Sequence, residues 1–233
     1  MSKILSEWDN YSTGRIGINW LENPLHFVRL MCLKRFLKDS VNHMVLDCGC
    51  GEKEPVIVCN RGNAVALDIS IVALKNLRSL GFKGHLILGH CLFLPFKDKC
   101  FEKSVSSELI EHLNSKREVL AFKGEIERVS NSIMLTTPNS EFLLMWSDPT
   151  HKLFFNSKNI KEIFNDYALS QASLPSDVLT HYLKLYTRNR FINWLRLKLR
   201  GPRVSKVYRF LARITHGGAF IILKKNFREN IDC

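Results

Sequence analysis

The sequence predicts an α/β protein with a seven-stranded, mostly parallel sheet and helices on both faces. Short apolar runs of strand length alternate with amphipathic helical patterns, and one of these runs ends in Asp47 just before Gly49 and Gly51. Strands that alternate with helices need crossover connections, which favour parallel pairing and a covered sheet. We therefore expect a ligand site at the carboxyl ends of the strands.

The strands are predicted from short apolar runs rich in β-branched residues. In chain order these runs are 43–48, 64–68, 85–88, 103–107, 132–137 and 219–223, and a weaker run at 169–173 supplies the seventh strand. The chain has no internal repeats and no low-complexity segments. The predicted sheet therefore belongs to one domain that spans residues 1–233.

Three helices are predicted from serine caps followed by apolar residues at helical spacing. Ser70 begins the first helix, Ser115 begins the second as part of a capping box with Glu118, and Ser157 begins the third. The apolar stripes of these helices are Ile71, Leu74 and Leu77; Val119, Phe122, Ile126 and Val129; and Ile160, Ile163, Phe164 and Tyr167.

Composition excludes several classes of protein. With 45% hydrophobic and 24% charged residues, the chain is globular rather than disordered. No apolar run reaches the roughly 18 residues of a membrane span, and the N-terminus lacks the apolar region of a secretory signal, so we expect a cytoplasmic protein without a transmembrane segment. The seven cysteines have no zinc-type spacing, so we expect reduced thiols and no metal site.

Two acidic residues at predicted strand ends flank a glycine turn. Asp47 precedes Gly49 and Gly51, and Asp68 ends the next predicted strand. The glycines let a ligand approach backbone amides, and a carboxylate at the position of Asp68 can accept both hydroxyls of a ribose. This pattern favours an adenosine-containing cofactor. The chain lacks the third glycine of a dinucleotide-binding fingerprint, which disfavours NAD, and it lacks a P-loop motif.

Several longer stretches resemble a known family. They are VLDCGCG (45–51), AVALDIS (64–70), LGHCLFLPFKDKCFEKSVSSELIEHL (88–113), TTPN (136–139) and DPTHKLFF (148–155). In this order they resemble the class I S-adenosylmethionine-dependent methyltransferases, within them the large type 11 group similar to quinone-biosynthesis methyltransferases. The resemblance covers residues 44–167. It implies a Rossmann-like sheet whose last strand is antiparallel, and S-adenosyl-L-methionine as the cofactor.

The resemblance also implies the cofactor-binding residues. Asp47, Gly49 and Gly51 would approach the methionine and ribose part, Asp68 would bind the ribose hydroxyls, and Ser107 with Glu108 would line the methionine end. The remaining positions of the implied site are Cys48, Ile69, His90, Cys91 and Leu92.

The family usually has Asp-Ala where this chain has His90-Cys91. That aspartate accepts a hydrogen bond from the adenine amino group. Neutral His90 could accept it instead through a ring nitrogen. The alternative for His90 is a loop histidine that contacts no ligand.

The implied reaction is an in-line displacement in which a nucleophile of the acceptor attacks the methyl carbon. Such a reaction depends mainly on alignment, and it needs a general base only if the nucleophile carries a proton of high pKa. His151 is the main candidate for this base, and Glu111 and His112 are alternatives, although a structural role suits each of them too. Asn139 could orient a substrate or hold a turn.

The chain outside this core suggests how an acceptor enters. Residues 1–40 are predicted to form an N-terminal helical lid on the core 41–175, with Phe27, Leu30, Met31 and 33–37 packing on the sheet and Tyr11 and Trp20 as lid residues. Residues 176–217 are predicted to form a basic helical insertion before the last strand and tail (218–233).

The formal net charge of +12 comes from one segment. Residues 178–228 hold thirteen Lys or Arg and no Asp or Glu, whereas the remainder holds 21 basic and 22 acidic residues. This segment could contact an anionic membrane and admit a lipid-like acceptor, bind nucleic acid, or be a solvated face of a lid helix. We expect a small-molecule or lipid-like acceptor; RNA methylation and a non-catalytic binding protein on the same scaffold are the alternatives.

Overall fold

The computed structural model describes residues 6, 8–10, 24–52, 58–141, 148–172 and 220–227. They include a seven-stranded sheet, three α-helices and two short 3-10 helices. The strands are β1 (Val45–Cys48), β2 (Ala64–Asp68), β3 (His85–Leu88), β4 (Phe101–Ser107), β5 (Ser130–Pro138), β6 (Ala168–Ala172) and β7 (Phe220–Asn226). The α-helices are α1 (Pro24–Leu37), α2 (Ile71–Ser79) and α3 (Lys116–Val129), and the 3-10 helices are Ile110–His112 and Asn159–Glu162.

The strand order is β3-β2-β1-β4-β5-β7-β6. Strands β1 to β5 pair in parallel, whereas β7 runs antiparallel to both β5 and β6. The predicted Rossmann-like, seven-stranded sheet with an antiparallel last strand is therefore confirmed. The order reverses at β1, which lies between β2 and β4, so the carboxyl ends of β1 and β4 flank the point where such folds bind ligands.

The two faces of the sheet carry separate hydrophobic cores because side chains alternate along each strand. Leu46 of β1 packs in one core with Phe122 and Ile126 of α3, and Val45 packs in the other with Leu33 of α1 and Leu77 of α2. The predicted helical cover on both faces is thus confirmed. Nearly continuous apolar strands are what a sheet covered on both sides requires.

The caps of α2 and α3 form as predicted. Ser70 Oγ accepts the amide of Ala73, and Ser115 Oγ accepts the amide of Glu118. The Glu118 carboxylate reaches back one residue further than a standard capping box, to the amide of Asn114. One stripe residue is misassigned, because Ile71 is exposed at the first turn of α2 while Ala73 takes the buried position.

The helix predicted after Ser157 is wrong. The structure has only the 3-10 helix Asn159–Glu162, because the Asn156 side chain accepts the amides of Lys158 and Asn159 and tightens the turn. Ser157 instead accepts a hydrogen bond from Gln171 of β6. The apolar residues still reach the core, where Ile160, Ile163, Phe164 and Tyr167 are buried.

Helix α1 packs on the sheet through Leu30, Leu33 and Leu37, as expected, but Met31 is exposed. Tyr11, Trp20, the side chain of Phe27 and the basic insertion 176–217 lie outside the described residues. No helix among the described residues has the length and apolarity that a bilayer crossing requires.

Candidate active site

The turn after β1 carries the first half of the site. Gly49 and Gly51 have φ angles of +69° and +61°, which L-residues with a side chain rarely adopt. A Cβ on Gly49 would lie 2.8 Å from Leu109 Cδ1, so the Leu109 side chain would have to shift to make room for it. A Cβ on Gly51 would meet no described atom within 4 Å, so this glycine leaves open space beside the backbone.

Asp68 at the end of β2 is tied to this turn. Its Oδ2 accepts the Gly51 amide and its Oδ1 accepts the Ser70 amide, each at 2.8 Å. Burial raises the pKa of the Asp68 carboxyl, while the two amides oppose that shift by stabilising the carboxylate. Each carboxylate oxygen retains a second lone pair, so Asp68 can still accept ribose hydroxyls.

The cysteines of the turn do not form a common site. Cys48 packs in the core on the α3 side and Cys50 packs in the core on the α1 and α2 side. Burial raises the pKa of both thiols well above the usual range, so both stay protonated. Burial likewise raises the pKa of Cys91 to about 12. All six cysteines among the described residues are free thiols.

His90 follows β3 and makes a hydrogen bond within its own loop. Its Nδ1 accepts the amide of Leu92 at 3.2 Å, so in the neutral ring Nε2 carries the hydrogen. The contact between a ring nitrogen of His90 and the adenine amino group stays a prediction. Phe93, next to it in space with ring centroids 6.0 Å apart, is 76% exposed at the same edge.

Ser107 and Glu108 at the end of β4 are linked to the neighbouring elements. Ser107 Oγ lies 3.1 Å from Thr136 Oγ1, which also lies 3.4 Å from Glu108 Oε1. Arg29 of α1 places Nη1 3.6 Å from the same Glu108 oxygen. Glu108 has φ +54°, an uncommon backbone conformation for a residue with a side chain. Such residues concentrate at functional sites, which supports the assignment of Glu108 to the cofactor site.

The three candidates for a general base lie together. Glu111, His112 and His151 place one ligand-type atom each within 4.8 Å of the others. The loop that carries His151 is held there because the amides of Lys152 and Leu153 donate to the Glu111 carbonyl at 2.8 and 2.9 Å. Sequence spacing alone does not predict this cluster, since its members come from two distant segments.

Asn139 lies in the turn after β5. It is fully buried, its Oδ1 accepts the amide of Glu141 at 3.1 Å, and it forms a parallel bridge with Phe155. These contacts support the turn-holding alternative for Asn139 rather than substrate orientation.

Comparisons with known proteins agree with this fold. Residues 46–132, from β1 into β5, match a family model described as a methyltransferase domain. An uncharacterized protein of Methanocaldococcus jannaschii, MJ1252, is 26% identical over 209 residues, which cover 88% of this chain and 78% of that protein.

Two solved structures are similar at the level of the fold. A SAM-dependent methyltransferase from Archaeoglobus fulgidus matches with a TM-score of 0.56 and 21% identity, over 85% of this chain and 93% of that one. The small RNA methyltransferase HEN1 matches with a TM-score of 0.57 and 13% identity, over 85% of this chain and 24% of that one. The resemblance to class I S-adenosylmethionine-dependent methyltransferases of the type 11 group is confirmed.

Proposed function

We propose that this chain, which carries a class I methyltransferase domain, binds S-adenosylmethionine and transfers its methyl group to an acceptor by in-line displacement. The observation that supports this most directly is the bond between Gly51 and Asp68. It fixes a carboxylate with spare lone pairs beside a glycine that leaves room for a ligand. Both features fit the ribose part of the cofactor.

The chain's contribution to the reaction is alignment. When bound, the cofactor supplies an electrophilic methyl carbon on a sulfonium, and little covalent chemistry is left to the protein. The turn at Gly49 and Gly51 and the side chain of Asp47 would hold the methionine and ribose part of the cofactor. Ser107 and Glu108 would line the methionine end, supported by their contacts to Thr136 and Arg29.

The acceptor side of the proposed site contains His151, our candidate for the general base. Its side chain is only 10% exposed, and its ring meets the ring of His112 at a centroid distance of 4.9 Å. A ring nitrogen of His151 would take the proton of an acceptor hydroxyl.

We place the acceptor among small or lipid-like molecules and the protein in the cytoplasm, and we include in this proposal a peripheral contact with anionic membrane through residues 178–228. RNA is the second candidate, because the same segment is strongly basic and the similar HEN1 structure belongs to an RNA methyltransferase. Methyl transfer from labelled cofactor into a lipid extract or into total RNA distinguishes the two. Label in RNA and not in lipid would overturn our choice.

Calorimetric titration with S-adenosylhomocysteine tests the cofactor site. We expect saturable binding with one site per chain and a micromolar dissociation constant. A folded chain that shows no binding would contradict the enzyme proposal and favour a non-catalytic binding protein on this scaffold.

A pair of glycine variants separates cofactor contact from backbone strain. Gly51 and Gly81 both have positive φ angles and open space at the Cβ position, but Gly81 lies after α2, outside the site. Alanine at either position should cost about 1–2 kcal/mol of stability. Gly51→Ala should also weaken S-adenosylhomocysteine binding at least about 10-fold, because the new methyl group occupies ligand space. If both alanine variants bind S-adenosylhomocysteine with equal affinity, the glycine turn does not contact the cofactor.

A further inference from the structure

We propose that Trp8 and Asp9 form a strap across the site, and that this strap must open before the cofactor can enter or leave. The two residues are helical neighbours in the chain, and each contacts a different side of the site. The proposal rests on the proposed function, since it concerns the exchange of the same cofactor. It assigns to this residue pair the rate of exchange rather than the strength of binding.

Asp9 holds the strap to the start of α2. Its Oδ1 accepts the Ser70 hydroxyl at 2.7 Å and the Val72 amide at 3.3 Å. The oxygen of the Ser70 hydroxyl accepts the amide of Ala73, so its one hydrogen is available for Asp9. A carboxylate is favoured here because the N-terminus of a helix carries partial positive charge. The strap therefore has a charge-assisted contact to α2 that depends on the Asp9 side chain.

The same contact lies beside the proposed ribose site. Ser70 follows Asp68 closely in the chain, and Asp68 Oδ1 accepts the Ser70 amide at 2.8 Å. Burial raises the pKa of the Asp68 carboxyl, and the negative charge of Asp9 adds to that shift. Asp9 is therefore close to the carboxylate that we assign to the ribose hydroxyls. A ribose bound to Asp68 would lie next to the strap.

Trp8 reaches the acceptor side of the site. Its ring meets the His112 ring edge to face, with centroids 5.2 Å apart and an interplanar angle of 89°. Aromatic rings attract each other in this arrangement. The His112 ring lies in turn 4.9 Å from the ring of His151, our candidate for the general base. Two consecutive residues of the strap therefore contact the cofactor side and the acceptor side.

The positions of these two contacts determine what the strap covers. Ser70 follows β2 and His112 follows β4, while β1 lies between those two strands in the sheet. Neighbouring strands are about 4.8 Å apart, so β2 and β4 are about 10 Å apart, a distance that the side chains of two consecutive residues can span. The strap therefore bridges the elements on either side of the glycine turn after β1. A cofactor held by that turn would lie beneath the strap, so its exchange requires these contacts to break.

Surface plasmon resonance of the immobilised full chain with S-adenosylhomocysteine tests the strap. We expect Asp9→Ala to raise both the association and the dissociation rate constant at least about 10-fold, because the loss of hydrogen bonds to a charged group favours the open strap. The dissociation constant should change by less than about 3-fold, since a strap released equally in the free and the bound protein leaves the affinity unchanged. Asp9→Asn keeps an acceptor oxygen without the charge and should give intermediate rates. The matched control Asn10→Ala changes an exposed neighbour and should leave both rate constants unchanged.

The association rate constant distinguishes control of exchange from structural support, because damage to the cofactor site would speed dissociation but not association. Trp8→Ala removes the ring contact at the other end of the strap and should also raise both rate constants, so it decides the question if Asp9→Ala fails to fold. Unchanged rate constants in a folded variant, or faster dissociation without faster association, would overturn the strap and leave the proposed function standing. A folded wild type that binds no S-adenosylhomocysteine would overturn both.

Discussion

Asp68→Ala is expected to weaken S-adenosylhomocysteine binding by about 100-fold or more. Hydrogen bonds to a charged group contribute about 1.5–3 kcal/mol each, and we assign two ribose hydroxyls to this carboxylate. The loss of both corresponds to at least about 100-fold in the dissociation constant, the value at the lower limit of that range. The variant also leaves the amides of Gly51 and Ser70 without their carboxylate, so the turn loses support in the same step.

The matched control is Asp98→Ala. Asp98 is another aspartate, paired with Arg128, but its side chain is 76% exposed and lies outside the site. It should leave calorimetric binding unchanged. Asp68→Asn distinguishes the two effects of Asp68, because an amide oxygen can still accept one backbone hydrogen bond but carries no charge. Retained micromolar affinity in a folded Asp68→Ala protein would contradict our assignment of the ribose contact.

Local signals made most of the fold predictable. The runs 64–68 and 85–88 match β2 and β3 residue for residue, since short apolar runs bounded by turn residues leave few alternatives. The helix caps at Ser70 and Ser115 were predictable from the sequence because a cap depends on residues within one turn. The helix predicted after Ser157 is wrong because the neighbouring Asn156 side chain accepts the backbone amides of Lys158 and Asn159. A serine that caps a helix and an asparagine that tightens a turn give similar sequence patterns, so the sequence does not distinguish them.

The candidate site was predictable only where a family motif fixes each position. The glycine turn and Asp68 belong to such a motif, and the structure connects them directly. The orientation of His90 depends on a hydrogen bond to its own loop, and the cluster of Glu111, His112 and His151 depends on a return of the chain to the β4 end. Contacts of this kind form only in the tertiary structure, so the spacing of residues along the sequence does not predict them.

Phe122→Ala should cause the largest loss of stability, about 3–5 kcal/mol, because it leaves a cavity in a packed core. Phe122 is fully buried on the inner face of α3, and it belongs to the core that also contains Ile133 of β5 and Leu46 of β1. The ring therefore packs the helix in one core with β5 and with β1, the strand that leads into the glycine turn of the site. Partial collapse of the surrounding side chains would reduce the loss toward the lower limit of that range.

Denaturant unfolding of the wild type, Phe122→Ala and Leu120→Ala measures this effect. Leu120 lies on the same helix but is 53% exposed, so its truncation should change the free energy of unfolding by less than about 1 kcal/mol. In a separate thermal unfolding scan, the Phe122 variant should have a midpoint temperature lower by about 10 °C, given the size of the chain. Similar losses in both variants would mean that α3 does not pack on the sheet through the face that contains Phe122. The arrangement of β4, β5 and the residues that follow them would then need another source of support.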